Sequence, residues 1–213
     1  MFNSVELSLE KLGIQKLDCL MLHRSNEINQ YGKIVPKTME KLISKGYITS
    51  AGASVYSGDE LDDMLCHDVF TTTQLPMNIF DQSLIHNGYI DKMYKKKISV
   101  FVSSVFLQGL FFLDYNNFTD PLLIEYVKPY LIKLHEICNK TGMSIAEIAI
   151  SFIRDIPGVT SLVLGADSSE HIMQNVSYMN APRLSEDVRN EISLTFKDVN
   201  TEKVMEILRR PKN

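Results

Sequence analysis

Apolar positions along this 213-residue chain follow two alternating rhythms. Compact apolar runs of strand length occur at Leu17–Leu22, Tyr47–Ala53, Val69–Leu75, Ile98–Phe106 and Val159–Leu164. Between them, apolar residues recur at helical spacing. Val5, Leu7, Leu9 and Leu12 mark a first helix closed by Gly13. Pro36 opens a second, with Met39, Leu42 and Ile43 on one face and Gly46 as its stop. Gly58–Cys66 reads as a short helix, and Ser83–Lys97 as a longer one whose YKKK end suits a helix C-terminus. After an aromatic loop, LFFLDYNNFTDP, a long helix is predicted over Pro121–Lys140. Ser144–Asp155 follows, with Ser144 as cap and Glu147 at capping-box spacing. Helices over Ser168–Tyr178, capped by Ser168 or Ser169, and over Ser185–Leu208 complete the chain.

Strand–helix alternation of this kind means parallel strands joined by crossover helices. There are about five such units, where a closed (β/α)8 barrel needs eight. No linker or low-complexity segment divides the chain, so residues 1–213 read as one α/β domain. No GxGxxG or GxxxxGK loop is present, which removes the usual dinucleotide and P-loop phosphate cradles.

Composition narrows the picture. Hydrophobic content of 45% and charged content of 23% describe an ordinary globular protein. A net charge of −4 gives no general attraction to nucleic acid or to an anionic membrane. Cys19, Cys66 and Cys138 are odd in number and widely spaced, so no metal set or disulfide framework emerges and a reducing cytoplasm is expected. The N-terminus has no apolar signal core, and no run approaches the ~20 residues of a spanning helix.

In parallel α/β folds, ligands sit at the carboxyl ends of strands. Those ends are His23-Arg24-Ser25, Gly52-Ala53-Ser54, Gln74, Ser103-Ser104 through Gln108-Gly109, and Gly165-Ala166-Asp167. All but the last carry a side chain able to hydrogen-bond an amide, a phosphate or a carbonyl. The last offers a glycine at a strand-to-helix turn, which brings a helix N-terminus to bear on an anion. The same residues also have plain readings. His23 could cap a turn, Gln74 could be a satisfied interior polar group, and Ser104–Gly109 could be ordinary turn chemistry. Asp167 could help cap a helix and His171 could be a surface residue. The LFFLDY cluster could line a substrate pocket or cover the sheet, and KMYKKK reads as a solvated helix end.

Five passages, in order and with fitting spacing, resemble the aldo-keto reductase family. SLEKLGIQKLDCLMLHR is similar to its third helix and fourth strand, ending in the active-site histidine. KLISKGYITSAGAS resembles its helix, basic-Gly turn and Gly-x-Ser strand. TQLPMNIFDQ is similar to its sixth strand, SSVFLQGL to the loop after strand seven, and PGVTSLVLGADSSEHIMQNV to the eighth strand and following helix.

The resemblance implies strands four to eight of an incomplete (β/α)8 TIM-type barrel, with the first strands missing from these residues. It implies an oxidoreductase that reduces a small aldehyde or ketone with NAD(H) or NADP(H). His23 takes the place of the family histidine that orients the substrate carbonyl. Ser54 and Gln74 match positions that hold the nicotinamide carboxamide, although Val55 replaces the usual neighbouring Asn. Ser104, Phe106, Gln108 and Gly109 keep the loop pattern after strand seven, with Val105 in place of its Pro and Ser103 in place of the ring-stacking aromatic. Gly165, Asp167, His171 and Asn175 fall at the adenosine end. Asp167 and Glu170 stand where NADP-preferring members carry a basic residue, which tilts the expectation to NAD(H). The Asp, Tyr and Lys of the catalytic tetrad have no matching motif. The implied chain is therefore nearly inactive by itself, or is a non-catalytic nucleotide-binding or interaction module of the same descent. Open barrel edges imply a possible homodimer.

Overall fold

The computed structural model describes residues 1–210. It contains a five-stranded parallel sheet in the order β1-β2-β3-β4-β5, with β1 at Leu17–Leu22, β2 at Ile48–Ser54, β3 at Phe70–Pro76, β4 at Ser99–Ser103 and β5 at Val159–Leu162. The expectation of parallel strands separated by helices holds. Strand ends differ from the sequence reading by up to three residues: β2 and β3 end one residue later, while β4 and β5 end earlier because apolar residues run on past the last ladder bond.

The helices are α1 (Phe2–Leu12), α2 (Asn26–Tyr31), α3 (Ile34–Ser44), α4 (Gly58–Leu65), α5 (Ser83–His86), α6 (Tyr89–Lys95), α7 (Pro121–Tyr126), α8 (Lys128–Thr141), α9 (Ile145–Arg154), α10 (Ser169–Met179), α11 (Glu186–Phe196) and α12 (Thr201–Arg209). Three expected single helices are each two. Gly88, at φ 73°, turns the chain between α5 and α6. Pro129 lacks an N–H and its ring crowds the carbonyl four residues back, so α7 ends at Tyr126 and α8 restarts with the proline in its first turn. Asn200 stops the last expected helix because its Oδ1 accepts the Lys203 N–H at 2.9 Å and opens α12. Short α2 was not expected. In α1, Val5 and Leu9 are buried while Leu7 and Leu12 are exposed.

The described residues fall into two compact units. One comprises Met1–Pro76, Gly88–Val102 and Pro157–Ser161; the other comprises Met77–Asn87, Ser103–Ile156 and the chain from Leu162 onward. The first unit has its core between the sheet and its helices, with Met39, Leu42, Ile48, Leu61, Met64 and Val100 fully buried. In the second unit Phe80 stacks on Phe196 at 5.3 Å and meets Phe111 edge-on at 4.9 Å. Helix α9 is buried along most of its length and starts with a reciprocal capping box, Ser144 Oγ accepting the Glu147 N–H and the Glu147 carboxylate accepting the Ser144 N–H.

Candidate functional site

In the first unit the ladder itself sets side chains next to one another. β1 pairs with β2 so that Leu22 is opposite Ala53, and β2 pairs with β3 so that Ser54 is opposite Gln74. His23 is the next residue after Leu22, on the step that Ser54 occupies along β2. Side chains alternate faces along a strand. Ala53 and Thr73 are fully buried, whereas Ser54 and Gln74 are half-buried and His23 is exposed. Three adjacent strands thus present His23, Ser54 and Gln74 at their carboxyl ends.

This rim is held by backbone. The Val55 N–H donates to the Gln74 carbonyl at 2.9 Å, and the Thr73 hydroxyl donates to the Ala53 carbonyl at 3.1 Å. Gly52 is required by close approach, because a Cβ there would lie 2.5 Å from the Thr72 carbonyl oxygen. Val55 is fully buried, so its side chain packs where the family pattern has an amide. Beyond it, Ser57 caps α4, and the Glu60 carboxylate accepts the Tyr56 N–H at 2.6 Å. Ser25, two residues past His23, is 3% exposed, and its hydroxyl has no hydrogen-bond partner among the described residues.

In the second unit, the turn after β4 is wound left-handed. Ser104, Leu107, Gln108 and Gly109 have φ of 60°, 47°, 55° and 84°. Non-glycine residues in this region are uncommon, and such conformations cost about 1–3 kcal/mol each unless the surroundings impose them. Here Val105, Leu107 and Leu110 are buried anchors, the Leu107 N–H donates to the Ser104 carbonyl at 2.9 Å, and the Gly109 N–H donates to the Phe106 carbonyl at 2.9 Å. Ser104 and Gln108 are exposed on the turn, and half-buried Phe106 meets Phe112 edge-on at 5.2 Å. Of the aromatic loop, Leu110 and Phe111 join the core while Phe112 and Leu113 are exposed. Asn78, from the TQLPMNIFDQ passage, is buried and turns the chain by accepting the Phe80 and Asp81 N–H groups.

The turn ahead of α10 is held by side chains. Asn175 Nδ2 donates to the Gly165 carbonyl at 3.0 Å, and the Asp167 N–H points at His171 Nδ1 at 3.5 Å. Ser168, not Asp167, caps the helix, its Oγ accepting the His171 N–H at 3.2 Å. Asp167, Glu170 and His171 are exposed and Asn175 half-buried. Beside them lies an open groove of about 480 Å³, lined by Leu162, Leu164, Ala166, Ile172, Asn175 and Val176, among others. Arg154 fixes the far end of α10. Its guanidinium donates to the Met179 and Ala181 carbonyls at 2.8 and 2.9 Å and pairs with Asp155 at 2.8 Å. That hydrogen bond holds the Asp155 carboxyl below its ordinary range, with Arg183 and Arg189 adding to the effect. Arg154 was not singled out from sequence because it ends helix α9 and lies at no strand's carboxyl end, and Asn78, two residues past β3, was read only as part of the TQLPMNIFDQ passage.

One Asp, Tyr and Lys cluster does occur in the first unit, on helices α4 and α6. Asp62 accepts from the Tyr89 hydroxyl at 2.9 Å and pairs with the Lys92 ammonium. The hydrogen bond to Asp62 raises the Tyr89 phenol above its ordinary value, the opposite of what a proton donor needs. Gly58 leaves room for the Tyr89 ring, since a Cβ there would lie 2.5 Å from it. This cluster ties two helices together. Among the described residues no group of His, Cys, Asp and Glu could hold a metal ion.

The sequence profile of the Aldo/keto reductase family matches residues 1–194. The L-glyceraldehyde 3-phosphate reductase of Escherichia coli (strain K12) is 22% identical over 201 residues, covering 83% of this chain and 57% of that protein. An aldo-keto reductase from Bacillus halodurans, in its holo form, superposes with a TM-score of 0.75 at 20% identity, over 91% of this chain and 65% of its own. The glycerol dehydrogenase of Gluconobacter oxydans gives 0.71 at 17%, over 99% and 65%. An aldo/keto reductase from Klebsiella pneumoniae, solved with NADP and acetate, gives 0.67 at 19%, over 92% and 64%. The chain therefore spans little more than half of the curated relative and under two thirds of the solved ones. Five parallel strands over that share fit a partial barrel.

Proposed function

This chain belongs to the aldo/keto reductase family, and on that premise we propose that it binds a nicotinamide dinucleotide and serves the reduction of a small aldehyde or ketone. The reading is carried by the row of His23, Ser54 and Gln74 along three adjacent strand ends. A carboxamide needs one donor and one acceptor held in fixed relation, and Ser and Gln side chains supply both. The bound nicotinamide would supply the hydride. His23, exposed at the edge of the row, would orient a carbonyl oxygen. In the second unit the exposed carboxylates Asp167 and Glu170 would accept from a ribose diol and repel a 2′-phosphate, so NAD(H) is favoured over NADP(H). The three cysteines are unpaired, which fits a reducing cytoplasm.

Reduction also needs an acid that protonates the nascent alkoxide, a contribution of roughly 10²–10⁴-fold. Of the row, His23 alone is a titratable group, and Tyr89 is bound to Asp62 on the helices. The isolated chain is therefore nearly inactive as a reductase. That observation also favours a second reading, a non-catalytic nucleotide-binding or interaction module.

Calorimetric titration tests the nucleotide site, and turnover separates the two readings. NADH should bind, NADPH more weakly, and Gln74→Ala should weaken NADH by about tenfold, as expected for a lost buried amide pair. No binding of either nucleotide would overturn the reading, and preference for NADPH would remove Asp167 from the 2′ position. Turnover of a reactive aromatic aldehyde that His23→Ala abolishes would show a working acid in this chain.

A further inference from the structure

The opposite end of the same sheet carries a different surface. Helices in this topology run back against the strands, so their C-termini and the amino ends of β1, β2 and β4 share one rim. On it stand Lys11, Lys16, Lys41, Lys45, Lys95, Lys96 and Lys97, all exposed and all in the first unit. Among the described residues none of the seven is in an ion pair. Lys45 lies over the Phe2 ring at 5.1 Å. Strands lie ~4.8 Å apart, so β1 to β4 spans only ~15 Å. Exposed acids here include Glu6, which accepts from the Tyr47 hydroxyl at the amino end of β2, and Glu10, Asp18 and Asp68; seven lysines outnumber these four in a chain whose overall charge is −4.

Apolar groups are set among these lysines. Leu12 and Ile14, between Lys11 and Lys16, are 62% and 44% exposed, and Tyr94, before Lys95, is 63% exposed. Helix-end lysines alone would be explained by the helix dipole. The dipole does not explain exposed Leu, Ile and Tyr beside them. Phosphate recognition with fixed geometry favours arginine, whose planar fork binds two oxygens, and this rim has lysine only. Ammonium groups act as compact point charges with no fixed partner geometry, and apolar side chains between them enter the headgroup boundary.

We propose that the amino-end rim of the sheet in the first unit is a docking surface for a bilayer bearing anionic phospholipids. Association is peripheral, since no helix among the described residues is long and apolar enough to cross a membrane. His23, Ser54 and Gln74 lie at the other end of the same strands and stay open to solvent. The test is co-sedimentation of the full chain with vesicles of phosphatidylcholine alone or with about a third phosphatidylserine, at low and high salt. The chain should bind only the anionic vesicles and release at ~0.5 M salt, where the screening length falls to a few ångströms. Lys16→Glu/Lys95→Glu/Lys96→Glu should weaken partition by tenfold or more. Leu12→Ser/Ile14→Ser should weaken it at unchanged charge, and both variants should keep the far-ultraviolet circular dichroism and melting temperature of the parent. Failure to bind anionic vesicles at low salt overturns the proposal. So does equal binding by the lysine variant, or lysine-dependent binding of duplex DNA or polyglutamate without vesicle binding.

Discussion

The strand-end row in the first unit and the turn ahead of α10 in the second both offer polar groups, but they are built in different ways. Ser54 and Gln74 are placed by the sheet ladder, with their backbones locked by the Val55 N–H and by a glycine that lets two strands touch. Gly165 and Asp167 are placed by side chains of an exposed helix, one contact at 3.0 Å and one at 3.5 Å. Ladder-built groups are preorganised, so their geometry survives loss of any one side chain. Clamp-built groups depend on each contact separately, and binding there must supply the ordering that the fold does not.

The largest test is Gly52→Ala. Its Cβ would meet a backbone carbonyl at 2.5 Å and force β2 from β3. Overpacking of this kind costs about 1–3 kcal/mol, read from denaturant unfolding. If the ladder argument holds, nucleotide affinity falls with it, because Ser54 and Gln74 separate. A variant that stays fully stable would show that the contact relaxes without cost.

Next is Arg154→Met, which keeps the apolar stem and removes the anchor of α10. Loss of charged hydrogen bonds to two carbonyls and a carboxylate should cost about 2–3 kcal/mol, with proteolysis at the 165–180 segment rising. The same pair gives a pH dependence. Arg154 holds the folded-state Asp155 pKa below its unfolded value. Its stabilisation is therefore complete above the unfolded carboxylate pKa of about 4 and fades as pH falls through the lower folded value. Melting temperature should drop on acidification below about pH 4, and part of that slope should vanish in Arg154→Met. An unchanged slope would place the acid sensitivity elsewhere.

The smallest effects belong to the clamp itself. Ser168→Ala should cost about 1 kcal/mol of stability as a lost N-cap. Asn175→Ala should leave global stability within about 0.5 kcal/mol but speed amide exchange at Gly165–Asp167. Equal protection in both proteins would mean that the turn needs no clamp.

Much of the fold was legible in the sequence because the parallel strands are compact apolar runs, and their alternation with amphipathic helices has one simple solution. Strand-end residues were legible for the same reason: Leu17–Leu22 is followed at once by His23, and Phe70–Pro76 carries Gln74 near its carboxyl end. Register was not legible. Nothing local to Ser54 says that Gln74 stands beside it, since that follows from pairing across 20 residues. The breaks at Gly88, Pro129 and Asn200 were written in the residues but overshadowed by apolar periodicity that continued through them. The left-handed turn at Leu107 and Gln108 carries no glycine before Gly109, so its strain comes from the buried leucines around it. Arg154 stayed hidden because its partners are carbonyls, which any sequence supplies.

The irregularity between Ala51 and Gly52 pairs them with Phe70 and Thr72, leaving Thr71 outside the count. The downstream register of β3 holds only while Thr71 stays outside the ladder. A slip that drew it into the ladder would set Thr73 beside Ser54 and Gln74 beside Val55, replacing an amide by a short hydroxyl next to Ser54. Loss of Thr71 from the gene would change nothing there, whereas a gain of one residue elsewhere in the strand would. Across a lineage, insertions in this strand would therefore be filtered by what they present to a ligand, and deletion at this one position would pass unseen.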